Sequence, residues 1–198
     1  MEPQAIESFF TSDVMMALLV GGVSLLAVLV PFTRGLQIAL QGFVATRSVS
    51  PDEIERDLAG GATASPSVVL QMLQVMQRAL GESQREACPA DFVVDASRQY
   101  VSHAYETQYA QPIGMCANIL PPIGFIGTTG GLLVLFVSMQ IGSDSLELGA
   151  LAAALTSSIF ALLGFAILEG LKFRLYRRLL DRLSDAVDHA PLAAAMAA

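Results

Sequence analysis

Three stretches of this chain contain no Asp, Glu, Lys or Arg, and they constrain its fold more than any other feature. They cover residues 14–33, 107–143 and 148–168, which are 20, 37 and 21 residues long. A helix needs about 20 mainly apolar residues to cross a bilayer. Because the second stretch begins with the polar run TQYAQP, its membrane part is placed at residues 113–139. The sequence therefore predicts an all-α membrane protein with three transmembrane helices.

The first stretch is expected to be a retained anchor, not a signal peptide. The residues before it, MEPQAIESFFTSD, carry three acids and no base, whereas a signal peptide begins with a positive region. Charged residues make up only 15% of the whole chain, against roughly 25% in a soluble domain. Composition and segment length therefore both favour a membrane protein.

The basic residues predict the orientation. Of the eleven Lys and Arg, six lie between the first and second stretches and five follow the third. The positive-inside rule assigns basic segments to the cytoplasmic side. The spans 14–33, 113–139 and 148–168 then leave the tail 1–13 and the loop 140–147 outside, and the loop 34–112 and the segment 169–198 inside.

The inner loop is predicted to be helical. Ser50 and Glu53 have the spacing of a capping box, and a break at residues 60–67 precedes a second helix. Residues 91–109 are expected to continue into the second span as one long helix, interrupted or bent near Pro112 and Pro121–Pro122. The third span is expected to continue past the membrane with an apolar stripe of Leu171, Leu175, Leu179 and Leu183.

The sequence contains no catalytic constellation. His103 and His189 both lie outside the spans, and the Cys and His spacing fits no metal site. The run GFIGTTGG lacks the Lys of a phosphate-binding loop, and no strand precedes it. The net charge of −7 offers no basic patch for nucleic acid. We therefore expect no enzymatic activity, no cofactor, no metal and no nucleic-acid partner.

Small residues in the second and third spans predict close helix packing. Such residues let helix backbones approach each other in lipid, where the hydrophobic effect does not drive association. The third span carries small residues on two sides, one side including Ser157 and the other Ala152, Ala153 and Thr156. This favours a homo-oligomer, with a compact monomeric bundle as the alternative. The predicted packing residues are Gly124, Gly127, Gly131, Ala150 and Ala154.

Hydroxyl side chains lie beside these small residues and predict a polar lining. Thr128, Thr129, Thr156 and Ser157 all stand in charge-free spans. Each hydroxyl taken alone is better explained by bonding to a carbonyl of its own helix. An ion relay normally requires an ionisable group within the membrane. If these helices line an ion path, the titrating residue must therefore come from another protein.

Two motifs resemble the ExbB/TolQ/MotA family of proton channels. The run LPPIGFIGTTGGLLVLF resembles the family's second-span motif, with Pro121, Gly124, Gly127, Thr128 and Gly131 in the matching places. The run LGALAAALTSSIFALLGFAILEGLKFRLY resembles its last span, with Thr156 at the place of the family's threonine. Three spans and an external N-terminus are similar to ExbB and TolQ. The resemblance covers roughly residues 110–178.

The resemblance implies a pentameric ring in a bacterial inner membrane, with the N-terminus in the periplasm and long helices extending into the cytoplasm. It implies a partner dimer of the ExbD, TolR or MotB type, whose single membrane span carries the proton on an aspartate. Leu151 stands where ExbB and TolQ have a glutamate, and Gly164 where a proline is frequent. A structural membrane scaffold and a small transporter are the alternative functions.

Overall fold

The computed structural model describes residues 3–59, 67–83, 89–142 and 144–189, and these ranges contain helices and no strand. Three of the helices are long and apolar enough to cross a membrane, as predicted. The helices are α1 (Pro3–Ala45), α2 (Pro51–Ala59), α3 (Val68–Ser83), α4 (Ala90–Tyr105), a π-helical turn (Glu106–Ala110), α5 (Gln111–Ile141) and α6 (Asp144–Asp188).

The chain divides into two compact units, each built from separate parts of the sequence. Residues 1–36 and 114–169 form the first, called here the three-helix unit because it contains parts of α1, α5 and α6. Residues 37–113 and 170–198 form the second, called the loop unit, which contains α2, α3, α4 and the π-helical turn.

The three-helix unit has a small-residue interior and a large apolar exterior. Its buried positions are mostly Gly, Ala and Ser, whereas Leu, Ile and Phe side chains such as Phe125, Leu133 and Ile159 are more than 60% exposed. A protein surrounded by water buries its large apolar side chains instead. This distribution is compatible with lipid around the unit, because lipid tails accept exposed Leu and Phe at no cost.

The turn between α5 and α6 depends on glycine. Gly142 has a φ angle of +74°, which side chains with a Cβ rarely adopt. Its N–H donates to the carbonyl of Ser138 at 2.9 Å, so one of the last carbonyls of α5 is satisfied. α5 ends at Ile141 and α6 begins at Asp144. Both helices therefore reach into the segment 140–147 that was predicted to be a loop.

The loop unit has a conventional apolar core. Ile54 of α2, Met72 and Met76 of α3, and Leu179 and Leu183 of α6 are all buried in it. The apolar stripe predicted for the end of α6 therefore faces protein. The capping box is also confirmed: the N–H of Glu53 donates to the Ser50 hydroxyl, and the N–H of Ser50 to the Glu53 carboxylate, both at 3.3 Å.

A continuous helical run from residue 90 to 141 includes the π-helical turn just before Pro112. The N–H of Gln111 donates to the carbonyl of Glu106, five residues earlier. Proline lacks an N–H and its ring clashes with the carbonyl four residues before it, and the wider turn relieves this clash. The interruption or bend predicted near Pro112 therefore coincides with the π-helical turn. α5 continues without a break through Pro121 and Pro122.

Tyr105 ties this run to α1 within the loop unit. Its hydroxyl donates to the carbonyl of Gly42 at 3.1 Å, and its ring lies 4.9 Å from that of Tyr109. Burial raises the pKa of Tyr105 well above its usual value, so the phenol keeps the proton that it donates.

Candidate functional site

The predicted packing glycines of α5 lie against α6 of the same chain. A methyl group at Gly124 would lie 2.6 Å from the Cβ of Ala161, and one at Gly131 would lie 2.5 Å from the Cβ of Ala154. A methyl group at Gly127 would overlap the hydroxyls of Ser157 and Ser24. The glycines are therefore required for contact between α5 and α6, whatever further neighbours exist.

The facing stripe of α6 supplies the other half of this contact. Ala150, Ala154, Ser157 and Ala161 are all buried, each with 4% exposure or less. Gly164, where the family often has proline, continues the stripe. A methyl group there would lie 3.2 Å from Leu120 and 3.3 Å from Phe32. A side chain at this position would therefore require Leu120 and Phe32 to shift by a few tenths of an ångström.

Ser24 and Ser157 form a hydrogen bond between α1 and α6. Their hydroxyl oxygens are 2.6 Å apart, and Gly127 of α5 lies directly against both. Sequence reasoning missed Ser24. A signal was present, since Ser24 lies close to the glycine pair 21–22 in the first charge-free stretch. All three helices therefore meet at a polar point inside the three-helix unit.

Thr128 lies in a second polar contact, between α5 and α6. Its hydroxyl donates to the carbonyl of Gly124 at 2.9 Å and is hydrogen-bonded to the hydroxyl of Ser158. Ser158 in turn lies 3.4 Å from the same carbonyl of Gly124. The hydroxyl of Thr128 thus both bonds back to its own helix and joins a neighbouring one.

The other two predicted hydroxyls are on the outer surface of the chain. Thr129 is exposed and donates to the carbonyls of Phe125 and Ile126, at 3.1 and 3.0 Å. Thr156 is also exposed. The four residues predicted to line an ion path therefore do not converge within one chain. Thr128 and Ser157 are internal, whereas Thr129 and Thr156 face whatever surrounds the chain.

The second small-residue side of α6 is largely exposed among the described residues. Ala152 and Thr156 are exposed and Ala153 is half-buried. Exposed apolar residues such as Leu148, Leu155 and Leu163 lie along the same helix and are much larger. Thr156 is therefore an exposed hydroxyl on a side of α6 where small residues allow a neighbouring helix to approach closely.

Ionisable groups are absent from the middle of this site. Between residues 114 and 143, and again between 148 and 168, the sequence has no Asp, Glu, Lys, Arg or His. No group of three or more potential metal ligands occurs among the described residues. The arrangement can therefore offer hydrogen bonds to a polar or charged group, but it holds no acid of its own.

Comparison of the chain with protein-family models, with curated proteins and with solved structures gives no match.

The Ser24–Ser157 bond gives a direct test of the internal packing. We expect Ser24→Ala and Ser157→Ala each to lower the free energy of unfolding by about 1 kcal/mol. The double variant should fall short of the sum by about 0.6 kcal/mol, the usual coupling of such bonds in membranes. Unfolding by dodecyl sulfate in mixed micelles measures this. Thr129→Val is the control and should change little; strictly additive serine effects would contradict the bond.

Proposed function

We propose that this chain is the ring-forming ion-channel subunit of an energy-transducing motor in a bacterial inner membrane. Its substrate is an ion, with the proton as the expected one. A single-span partner with a membrane aspartate carries the ion past the ring, and the flow drives mechanical work. The N-terminus is periplasmic, and the loop unit and C-terminus are cytoplasmic.

The observation that carries this proposal is the exposed small-residue side of α6 around Thr156. The internal contacts of the chain already use the other side, with Ala154 and Ser157. On the second side, Ala152 and Thr156 are exposed, and no helix of the described residues covers them. A neighbouring helix would cover this side. The family resemblance implies that this helix belongs to another subunit of a pentamer or to the single-span partner.

The partner follows from the charge pattern. The charge-free spans supply hydroxyls but no titratable acid, and a relay through lipid normally includes one. Leu151, at the place of the family's glutamate, is 40% exposed and brings no acid either. An aspartate on a partner helix would therefore be the group that binds and releases the ion.

The test is flux from reconstituted protein. The chain should conduct protons in liposomes only when it is reconstituted with a single-span, aspartate-bearing protein, and native mass measurement should give five copies of the chain with two of the partner. Aspartate→Asn in the partner is the matched control and should stop the flux while leaving the complex intact. A stable complex without flux would support the scaffold, and flux from the chain alone would support the transporter.

A further inference from the structure

A basic and aromatic surface lies on α6 directly after the third charge-free stretch. It consists of Phe173, Arg174, Tyr176, Arg177 and Leu180, and it is called here the basic–aromatic face. Phe173 is 74% exposed and Tyr176 44% exposed. The buried leucines of α6 lie on the other side of the helix, so this face is available to an external partner.

The two arginines of this face, Arg174 and Arg177, differ from Arg178 and Arg182 of the same helix, which have partners within the chain. Arg178 lies over the ring of Phe43 at 5.1 Å, and Arg182 bonds Asp185 at 2.7 Å and the carbonyl of Thr46 at 3.3 Å. Arg174 and Arg177 are exposed, and among the described residues neither has an ion pair. Asp181, one turn further along, does not pair with either. Their guanidinium groups therefore remain for an external anion.

The distance from the apolar stretch places this face at the membrane surface. Residues 148–168 span about 30 Å as a helix, which is the thickness of the hydrocarbon core. Phe173 then lies about 7 Å beyond the core, and Arg174 and Arg177 about 9 and 13 Å beyond. Helical side chains lean towards the N-terminus of their helix, which for α6 is towards the bilayer.

We propose that the basic–aromatic face binds the headgroups of anionic phospholipids. Arg174 and Arg177 form charge-assisted hydrogen bonds to lipid phosphates, because the guanidinium fork matches phosphate geometry. Phe173 and Tyr176 lie at the interface between headgroups and acyl chains, where aromatic side chains are favoured. This goes beyond ion conduction and does not depend on it, since it requires only that α6 spans the membrane.

The test uses tryptophan fluorescence, because the chain contains no Trp. Phe173→Trp introduces a single indole on the face in the full-length protein, reconstituted in bilayers of phosphatidylcholine with a minor share of phosphatidylglycerol. Quenching should be much stronger when bromine is on the anionic lipid than when the same mole fraction of phosphatidylcholine carries it. Phe92→Trp, at an exposed position of α4, is the control and should show no such preference.

Charge variants then identify the groups responsible. Arg174→Gln with Arg177→Gln should reduce the preference for phosphatidylglycerol about 30-fold, whereas Arg56→Gln with Arg78→Gln, which removes the same charge elsewhere, should leave it unchanged. Arg174→Lys with Arg177→Lys keeps both charges but not the guanidinium fork, so it should retain a part of the preference that the glutamine pair loses; this guards against misfolding of the glutamine pair. Inorganic phosphate should not relieve the quenching.

Three results would overturn the proposal. Equal quenching by both brominated lipids means that the face has no preference for anionic headgroups. Relief by millimolar phosphate means that the site binds free phosphate. An indole shielded from both lipids, in a particle containing several copies of the chain, means that a second copy covers the face.

Discussion

Gly131→Leu is expected to lower the free energy of unfolding by about 3 kcal/mol, whereas Gly130→Leu should not lower it. A methyl group at Gly131 would lie 2.9 Å from the Cα of Ala154 and 3.0 Å from the carbonyl of Ala150. These are backbone atoms that no rotamer change can move. α5 and α6 would have to separate, and the hydrogen bond between Thr128 and Ser158 would weaken with them.

Gly130 is a closely matched control, since it is the adjacent residue in the same helix. A methyl group there meets nothing within 4 Å, and replacing a helical glycine gains up to about 1 kcal/mol. Unfolding by dodecyl sulfate from mixed micelles, followed by helical circular dichroism, measures both variants. Equal losses at the two positions would mean that α5 does not pack on α6 as described.

Thr156→Val is expected to reduce ion flux through the complex with its partner by roughly tenfold, while the free energy of unfolding of the chain stays unchanged. The hydroxyl is exposed, so its loss removes no contact inside the chain. It removes a hydrogen bond from the expected path, and an unmet bond in an apolar environment costs about 1–3 kcal/mol. Valine keeps the shape of threonine, so packing is unchanged.

Thr128→Val should also lower flux, and the two changes together should abolish it. Thr128 differs because its hydroxyl bonds Gly124 and Ser158, so this variant should also cost about 1 kcal/mol of stability. Flux is measured in proteoliposomes driven by a membrane potential, which supplies about 2.3 kcal/mol per charge for each 100 mV.

Two further variants, Thr156→Ser and Thr129→Val, are compared with the valine variants. Thr156→Ser keeps the hydroxyl and should retain most of the flux. Thr129→Val alters an exposed hydroxyl on α5 that already donates to its own helix, and an equal loss there would move the path to the outer side of α5. Normal flux in both Thr128→Val and Thr156→Val would show that these hydroxyls are not part of the ion path.

Much of the fold could be predicted because its causes are local in the sequence. Three long apolar stretches are each sufficient for a membrane-length helix, and the capping box depends on two residues three positions apart. The end of α6 could also be predicted, because its leucines recur at helical spacing. In the structure they pack in the apolar core of the loop unit.

The interior of the three-helix unit could not be predicted from the sequence in the same way. Spacing in the sequence distinguished Gly131 from Gly130, but it could not show that Gly131 lies against the backbone of α6. It could not assign Thr128 to the inside and Thr129 to the outside either. The Ser24–Ser157 bond joins residues 133 positions apart.

The sequence by itself therefore determined that this chain has three membrane-length helices, since about 20 apolar residues without charge suffice for that. Only the tertiary structure decided which side of each helix is interior and which hydroxyls remain for a partner. The physical reason is that lipid is as apolar as leucine. In water, the apolar side of a helix marks the core, but in lipid both sides are apolar, and the interior is selected by how closely particular backbones can approach.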